Sequence, residues 1–176
     1  MRSVKFTNEE LEYIKNNLEY DLDTAKIEEV ELGISIEGDE FSIFLEKKVN
    51  DYGVVFYSAV VELWDIDEEI PFPESVHDGY GLEEEDYEKM EEEGEKEIEE
   101  IEEAPTVEFK VMGEEYSFTK AVIEQKCYIN IPHYHYYRGF RAIYDKIQSL
   151  SKLIVLINMT DIFESFYNSA LEKVRK

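Results

Sequence analysis

Fourteen carboxylates crowd the stretch from Glu83 to Glu103, with only Lys89 and Lys96 among them. The candidate partner-binding residues are Glu83, Glu84, Glu85, Asp86, Glu88, Glu91, Glu92, Glu93, Glu95, Glu99, Glu100, Glu102 and Glu103. Ionised carboxylates accept hydrogen bonds and attract cations, so the run suits basic side chains of a partner. It is not a calcium loop, because it lacks the Asp-x-Asp-x-Asp-Gly spacing that wraps one ion. Its internal spacing says how the charge is presented. Glu is a good helix former, and Tyr87, Met90, Gly94, Ile98 and Ile101 step by three or four residues. A helix over 82–103 is therefore expected, with one narrow apolar stripe and carboxylates elsewhere. Twelve net charges over about 21 residues at about 1.5 Å each give one charge per roughly 2.6 Å of axis. Duplex DNA carries one per roughly 1.7 Å and a single strand one per roughly 3.4 Å. Such a helix does not stabilise itself, since like charges four residues apart repel and Gly94 weakens its middle.

A second constellation is Pro132-His133-Tyr134-His135-Tyr136-Tyr137-Arg138-Gly139-Phe140-Arg141. On a strand His133 and His135 point the same way. They could share a metal or act as an acid/base pair on a phosphate ester, with Tyr137 alongside and Arg138 and Arg141 holding the charge. The set has no third metal ligand at a recognisable spacing. It also offers a single His-x-His where two-histidine phosphoesterases need two separated His-x-Ser/Thr motifs. The plainer reading is structural residues at a strand end. The same cluster could instead bind the chain's own acidic helix or stack on a nucleotide. There is no Gly-rich phosphate loop, no Walker pattern, no zinc-binding cysteine set and no Gly-x-Ser-x-Gly elbow. No catalytic residue, metal or cofactor is assigned. Cys127 reads as a buried structural thiol and His77 as a turn residue.

These residues must be held by a scaffold, and the scaffold reads as α+β. Thr7 and Glu10 form a capping box, Phe6 can staple against Leu11, and Leu11, Ile14 and Leu18 repeat at helical spacing, which predicts a helix over roughly 8–20. The period then becomes two. Val30, Leu32, Ile34 and Ile36 alternate with polar residues, Gly38-Asp39 marks a turn, and Phe41, Ile43 and Leu45 alternate again, as in an antiparallel hairpin. Val54–Trp64 suits a central strand covered on both faces. Pro71, Pro73, Gly79 and Gly81 stop regular structure before the acidic run. Beyond it, a second hairpin runs Val107–Val111 and Tyr116–Ile123 around Gly113, and a separate strand covers Lys126–Ile131. Phe140, Ile143, Tyr144 and Ile147 predict a helix over 138–150, and Leu153–Ile157 a short buried strand. Thr160 or Asp161 caps a last helix that turns Phe163, Phe166, Tyr167 and Leu171 inward. The two hairpin turns share a local pattern that shared turn chemistry or an internal duplication explains. The expectation is a single domain over 1–176, an antiparallel sheet built from hairpins and packed by N-terminal and C-terminal helices, with an acidic helical insertion at about 80–104.

Composition bounds the function. The 176 residues carry 43 acidic and 18 basic side chains, a net charge of -25. By segment the net is -8 over 1–61, -19 over 62–103 and +2 over 104–176, so the acidity is local. Salt adaptation or general solubility would spread it evenly. With 43% apolar residues, 13 Tyr and 10 Phe the chain has the makings of a core. One cysteine, no basic-then-apolar leader and no long apolar run point to the cytoplasm and away from a membrane. A carboxylate array competes with phosphates for a basic groove. The expected function is therefore inhibition of a nucleic-acid-handling enzyme, such as a defence nuclease, by nucleic-acid mimicry, without direct nucleic-acid binding. In charge and size alone the chain is similar to small acidic phage and mobile-element inhibitors of restriction and CRISPR nucleases. Tyr80, Tyr87 and Trp64 are candidate apolar anchors if they are exposed. An acidic chaperone-like binder of basic proteins, a phosphoesterase centred on His133 and His135, and a solvated insertion with no specific partner are the alternatives.

Overall fold

The computed structural model describes residues 1–31, 33–70, 84–111, 113–128 and 132–175, with backbone alone for 84–88, 90–91, 124–128, 132–135 and 172–175. The chain is α+β. Its strands are β1 (Arg2–Ser3), β2 (Lys26–Val30), β3 (Gly33–Glu37), β4 (Phe41–Val49), β5 (Val55–Ile70), β6 (Val107–Val111), β7 (Glu114–Tyr128) and β8 (Pro132–Ile147). Its helices are α1 (Asn8–Asn17), α2 (Glu84–Glu102), α3 (Leu150–Asn158) and α4 (Thr160–Arg175). The strands form one antiparallel sheet in the order β2-β3-β4-β5-β8-β7-β6, with β1 paired to β4 beside it. Two compact units share the long strands. The first comprises Met1–Leu63, Thr106–Thr119 and Arg141–Lys176, and the second Trp64–Pro105 and Lys120–Phe140.

In the first unit the helices carry the apolar residues that cover the strands. The capping box forms as expected: the Glu10 N–H donates to Thr7 Oγ1 and the Thr7 N–H to Glu10 Oε1. The helix stops at Asn17, earlier than the expected 20, and the Asn158 side chain bonds Asn17 O and the Glu19 N–H there. The core gathers Ile14, Ile36, Ile43, Leu45, Val61 and Phe118 with Leu153, Leu156 and Ile157 of α3. Phe163 of α4 meets Phe118 at 5.4 Å between ring centroids, and the Tyr144 hydroxyl bonds Thr160 at 2.8 Å.

Several expected boundaries are corrected. The alternation over Val30–Ile36 is split into two strands, with Val30 opposite Gly33. Gly33 is required at that point, because a Cβ there would stand 2.1 Å from the Leu45 carbonyl oxygen. The 138–150 segment is strand β8, not helix. Phe140, Ala142 and Tyr144 are buried while Ile143 is 40% exposed, which is the period of a pleated strand. The helical spacing seen in the sequence arose because Lys146, at φ 55, breaks the alternation and lets Ile147 turn inward. Conversely Leu153–Ile157 is helical: Leu153, Ile154, Leu156 and Ile157 are buried and Val155 exposed, with Ser149 as N-cap. The strand expected at Lys126–Ile131 is a continuation of β7 as far as Tyr128. Thr160 does not cap α4, because its hydroxyl bonds Leu156 O and Tyr144. Phe166 faces solvent, not the core. The Val54–Trp64 strand extends to Ile70, and full burial along it is confined to Ala59, Val61, Trp64 and Ile70, not to both faces.

In the second unit Trp64, Ala121, Ile123 and Tyr137 form a buried cluster, and Ile70 and Ile101 are also buried. Along β5 the buried positions change from odd (Ala59, Val61) to even (Trp64, Ile70), and along β7 from even (Tyr116, Phe118) to odd (Ala121, Ile123).

Candidate acidic binding surface

Helix α2 spans Glu84–Glu102 and carries no base in its last turn. Its docking is visible in the C-terminal half: Gly94 and Ile101 are buried and Ile98 half-buried, three members of the expected apolar stripe. Glu97 lies next to that stripe. Its Oε1 accepts from Arg138 Nη2 on β8 at 2.5 Å, while its Oε2 is buried with no hydrogen-bond partner. Arg138 is about half exposed, so this contact fixes position more than it adds stability.

The remaining described carboxylates of the run, Glu92, Glu93, Glu95, Glu99, Glu100, Glu102 and Glu103, are all exposed. Glu92, Glu93, Glu95 and Glu99 border an open groove along the helix together with Lys96 and Ile98. The Glu103 N–H bonds Glu99 O and the Ala104 N–H bonds Ile101 O, so the helix closes beneath four glutamates. The carbonyl end of a helix dipole favours cations. Acid concentrated there adds to the negative potential of that end, where the last turn carries no base. Of the other expected residues, Glu84, Glu85, Asp86, Glu88 and Glu91 lie on α2 with side chains outside the description, and Glu83 lies outside the described residues.

Among the expected anchors, Tyr80 and the Tyr87 side chain lie outside the description. Trp64 is corrected. It is 7% exposed, packed in the second unit's core, and so is not an anchor for a partner. The next residue on β5, Asp65, points to the opposite face and is exposed.

The basic and aromatic cluster is divided by the strand that carries it. His133 and His135 lie on β8, and their side chains are outside the description. Tyr137 is buried with Trp64. Arg138 belongs to the second unit and binds Glu97, whereas Arg141 belongs to the first and binds Glu62 at 2.9 Å. Both guanidinium groups are engaged by glutamates, and positions 138 and 141 have opposite parity on the strand. The contact between this cluster and the chain's own acidic helix, one of the sequence expectations, is present in Arg138–Glu97. Among the described residues no group of three or more His, Cys, Asp or Glu is placed to hold a metal.

One polar cluster had no sequence signal beyond its capping box. Lys47 and Tyr57 are cross-strand neighbours on β4 and β5. Both reach Glu10: Lys47 Nζ at 2.6 Å, and the Tyr57 hydroxyl in a short hydrogen bond. Burial works to raise the Glu10 carboxyl, but the hydrogen bonds from Lys47, the Thr7 N–H and Tyr57 outweigh it and hold the group below its ordinary value of 4.5. Comparison of the chain with protein-family models, with curated proteins and with solved structures finds no match.

Proposed function

We propose that this chain is a stoichiometric inhibitor that binds a basic groove of a nucleic-acid-handling protein by phosphate mimicry, in the manner of anti-restriction and anti-CRISPR proteins of phages and mobile elements. The observation that carries the reading is the presentation of α2. One stripe and Glu97 face the protein, and every other described carboxylate of the run is exposed on a helix with about the linear charge density of a nucleic acid. A docked helix spaces its charges regularly, so part of the ordering cost of binding is met before the partner arrives. A cationic groove relieves the acid at its C-terminal end, where the last turn of the helix carries no base. The engagement of Arg138 and Arg141 by glutamates favours this reading over a phosphoesterase, which needs those cations for its substrate.

The test is capture of nucleic-acid-binding proteins from a source-cell lysate by the intact chain and by a variant with Glu92, Glu93, Glu95 and Glu99 all changed to Lys. The intact chain is expected to retain a basic nucleic-acid enzyme at low salt and block its activity, and the variant to do neither. For six or more phosphate-like contacts, affinity should fall by about 10³ or more between low and moderate salt. Equal capture and inhibition by both proteins overturns the proposal. So does capture confined to basic proteins with no nucleic-acid function, which is the chaperone-like outcome.

A further inference from the structure

Strand β6 ends the sheet order, and no described segment pairs with its outer edge. The β6–β7 hairpin turns through two residues, Val111 standing opposite Glu114. In such a hairpin the closing pair exchanges both backbone hydrogen bonds, and bonded and non-bonded pairs then alternate. Val107, Phe109 and Val111 therefore aim their backbone groups at β7. Glu108 and Lys110 aim theirs outward, leaving two N–H and two C=O groups for a further strand. Both side chains are exposed, and neither bonds another described side chain.

The sequence of this edge, Val107-Glu108-Phe109-Lys110-Val111, is complementary to itself when reversed. We infer that β6 is a dimer interface, pairing antiparallel with β6 of a second copy about a two-fold axis at Phe109. Full overlap sets Glu108 opposite the partner's Lys110, Lys110 opposite the partner's Glu108, Phe109 against the partner's Phe109, and Val107 against the partner's Val111. All four outward backbone groups of each copy are satisfied in that register. Opposite charges and aromatic pairs directly across an antiparallel ladder attract, and like charges repel. A slip of two residues, the smallest that keeps side chains on their faces, sets Glu108 against the partner's Glu108 or Lys110 against the partner's Lys110. The register is thus specified by charge as well as by overlap. The opposite edge of the sheet lacks these properties. Full self-overlap of β2 would set Glu28 against Glu28, and Lys26 is already bound by Glu28 at 3.0 Å. An acidic edge of that kind is a guard against pairing. The segment that contains β6 carries a net +2, outside the part of the chain that holds most of the acid.

The test is the mass of the full chain by sedimentation equilibrium at moderate salt over a range of concentrations. The wild type is expected to approach twice the 20.8 kDa of one chain. Glu108→Lys and Lys110→Glu should each raise the dissociation constant at least tenfold, by creating two like-charge pairs. An equimolar mixture of the two single variants should recover a heterodimer, and the double exchange a homodimer. Glu108→Lys lowers the net negative charge, so a general charge effect would strengthen association where this interface predicts its loss. Circular dichroism checks that each variant is folded. A wild type that stays at 20.8 kDa into the millimolar range, a Glu108→Lys variant that dimerises like the wild type, or a mixture that stays monomeric overturns the inference.

Discussion

Glu10 shows how a residue legible in sequence acquires partners that are not. Thr7 and Glu10 announce a capping box by their spacing. Lys47 and Tyr57 lie far along the chain and meet Glu10 only because β4 and β5 pair in the register that sets those two residues side by side. The Lys47 and Glu10 side chains are 12% and 15% exposed, so this pair is not screened like a surface one. Glu10→Gln should lower stability by about 2 kcal/mol at neutral pH, the scale of hydrogen bonds to a charged group. The Glu10 carboxyl is held low in the folded state, so its contribution is complete above the ordinary value of 4.5 and fades as pH falls through the lower, folded value. Urea titrations of both proteins should therefore converge in acid. A gap that stays constant from neutral pH to acid would exclude Glu10 as the titrating group. Trp64 carries the complementary lesson. An aromatic beside an acidic run reads as an anchor, yet its place on the strand puts it in the core.

At the scale of elements, period is informative where a segment is uninterrupted and misleads where the backbone bends. The hairpins at Gly38 and Gly113, the first helix and the acidic helix follow from alternation, turn residues and caps. The 138–150 segment imitates a helix because Lys146 displaces the inward residues by one position. A five-residue apolar run such as Leu153–Ile157 has no period of its own, and Ser149 as N-cap was the signal that could have assigned it. The assignment has a mutational signature. Leu156→Ala, fully buried, should cost about 2–5 kcal/mol, whereas Val155→Ala, 48% exposed, should stay within about 0.5 kcal/mol. Equal effects would contradict the helix. For α2, Glu92→Lys, Glu93→Lys, Glu95→Lys and Glu99→Lys stand four residues from Glu88, Glu97, Glu91 and Glu103, which replaces like-charge pairs by opposite ones, so the charge-reversed variant should stay about as helical as the wild type by circular dichroism. Its loss of partner binding then reports the surface and not the fold.

For the whole molecule, a net charge of -25 sets two salt dependences of opposite sign. Added monovalent salt screens self-repulsion and should raise the thermal midpoint of the free chain, while weakening capture of a basic partner. Scanning calorimetry and binding over one salt series measure both, and a midpoint that falls with salt would show that attractive pairs outweigh the repulsion. By itself the sequence determined the α+β class, the hairpins at Gly38 and Gly113 and the helical form of the acidic run, because period, turn chemistry and capping act between residues near one another in the chain. Tertiary structure alone decided that Glu97 turns inward to Arg138, that Trp64 is core, that Lys47 and Tyr57 converge on Glu10, and that β6 lies at the sheet edge. Each of these depends on strand register and sheet order, which join residues tens of positions apart and leave no mark on local spacing.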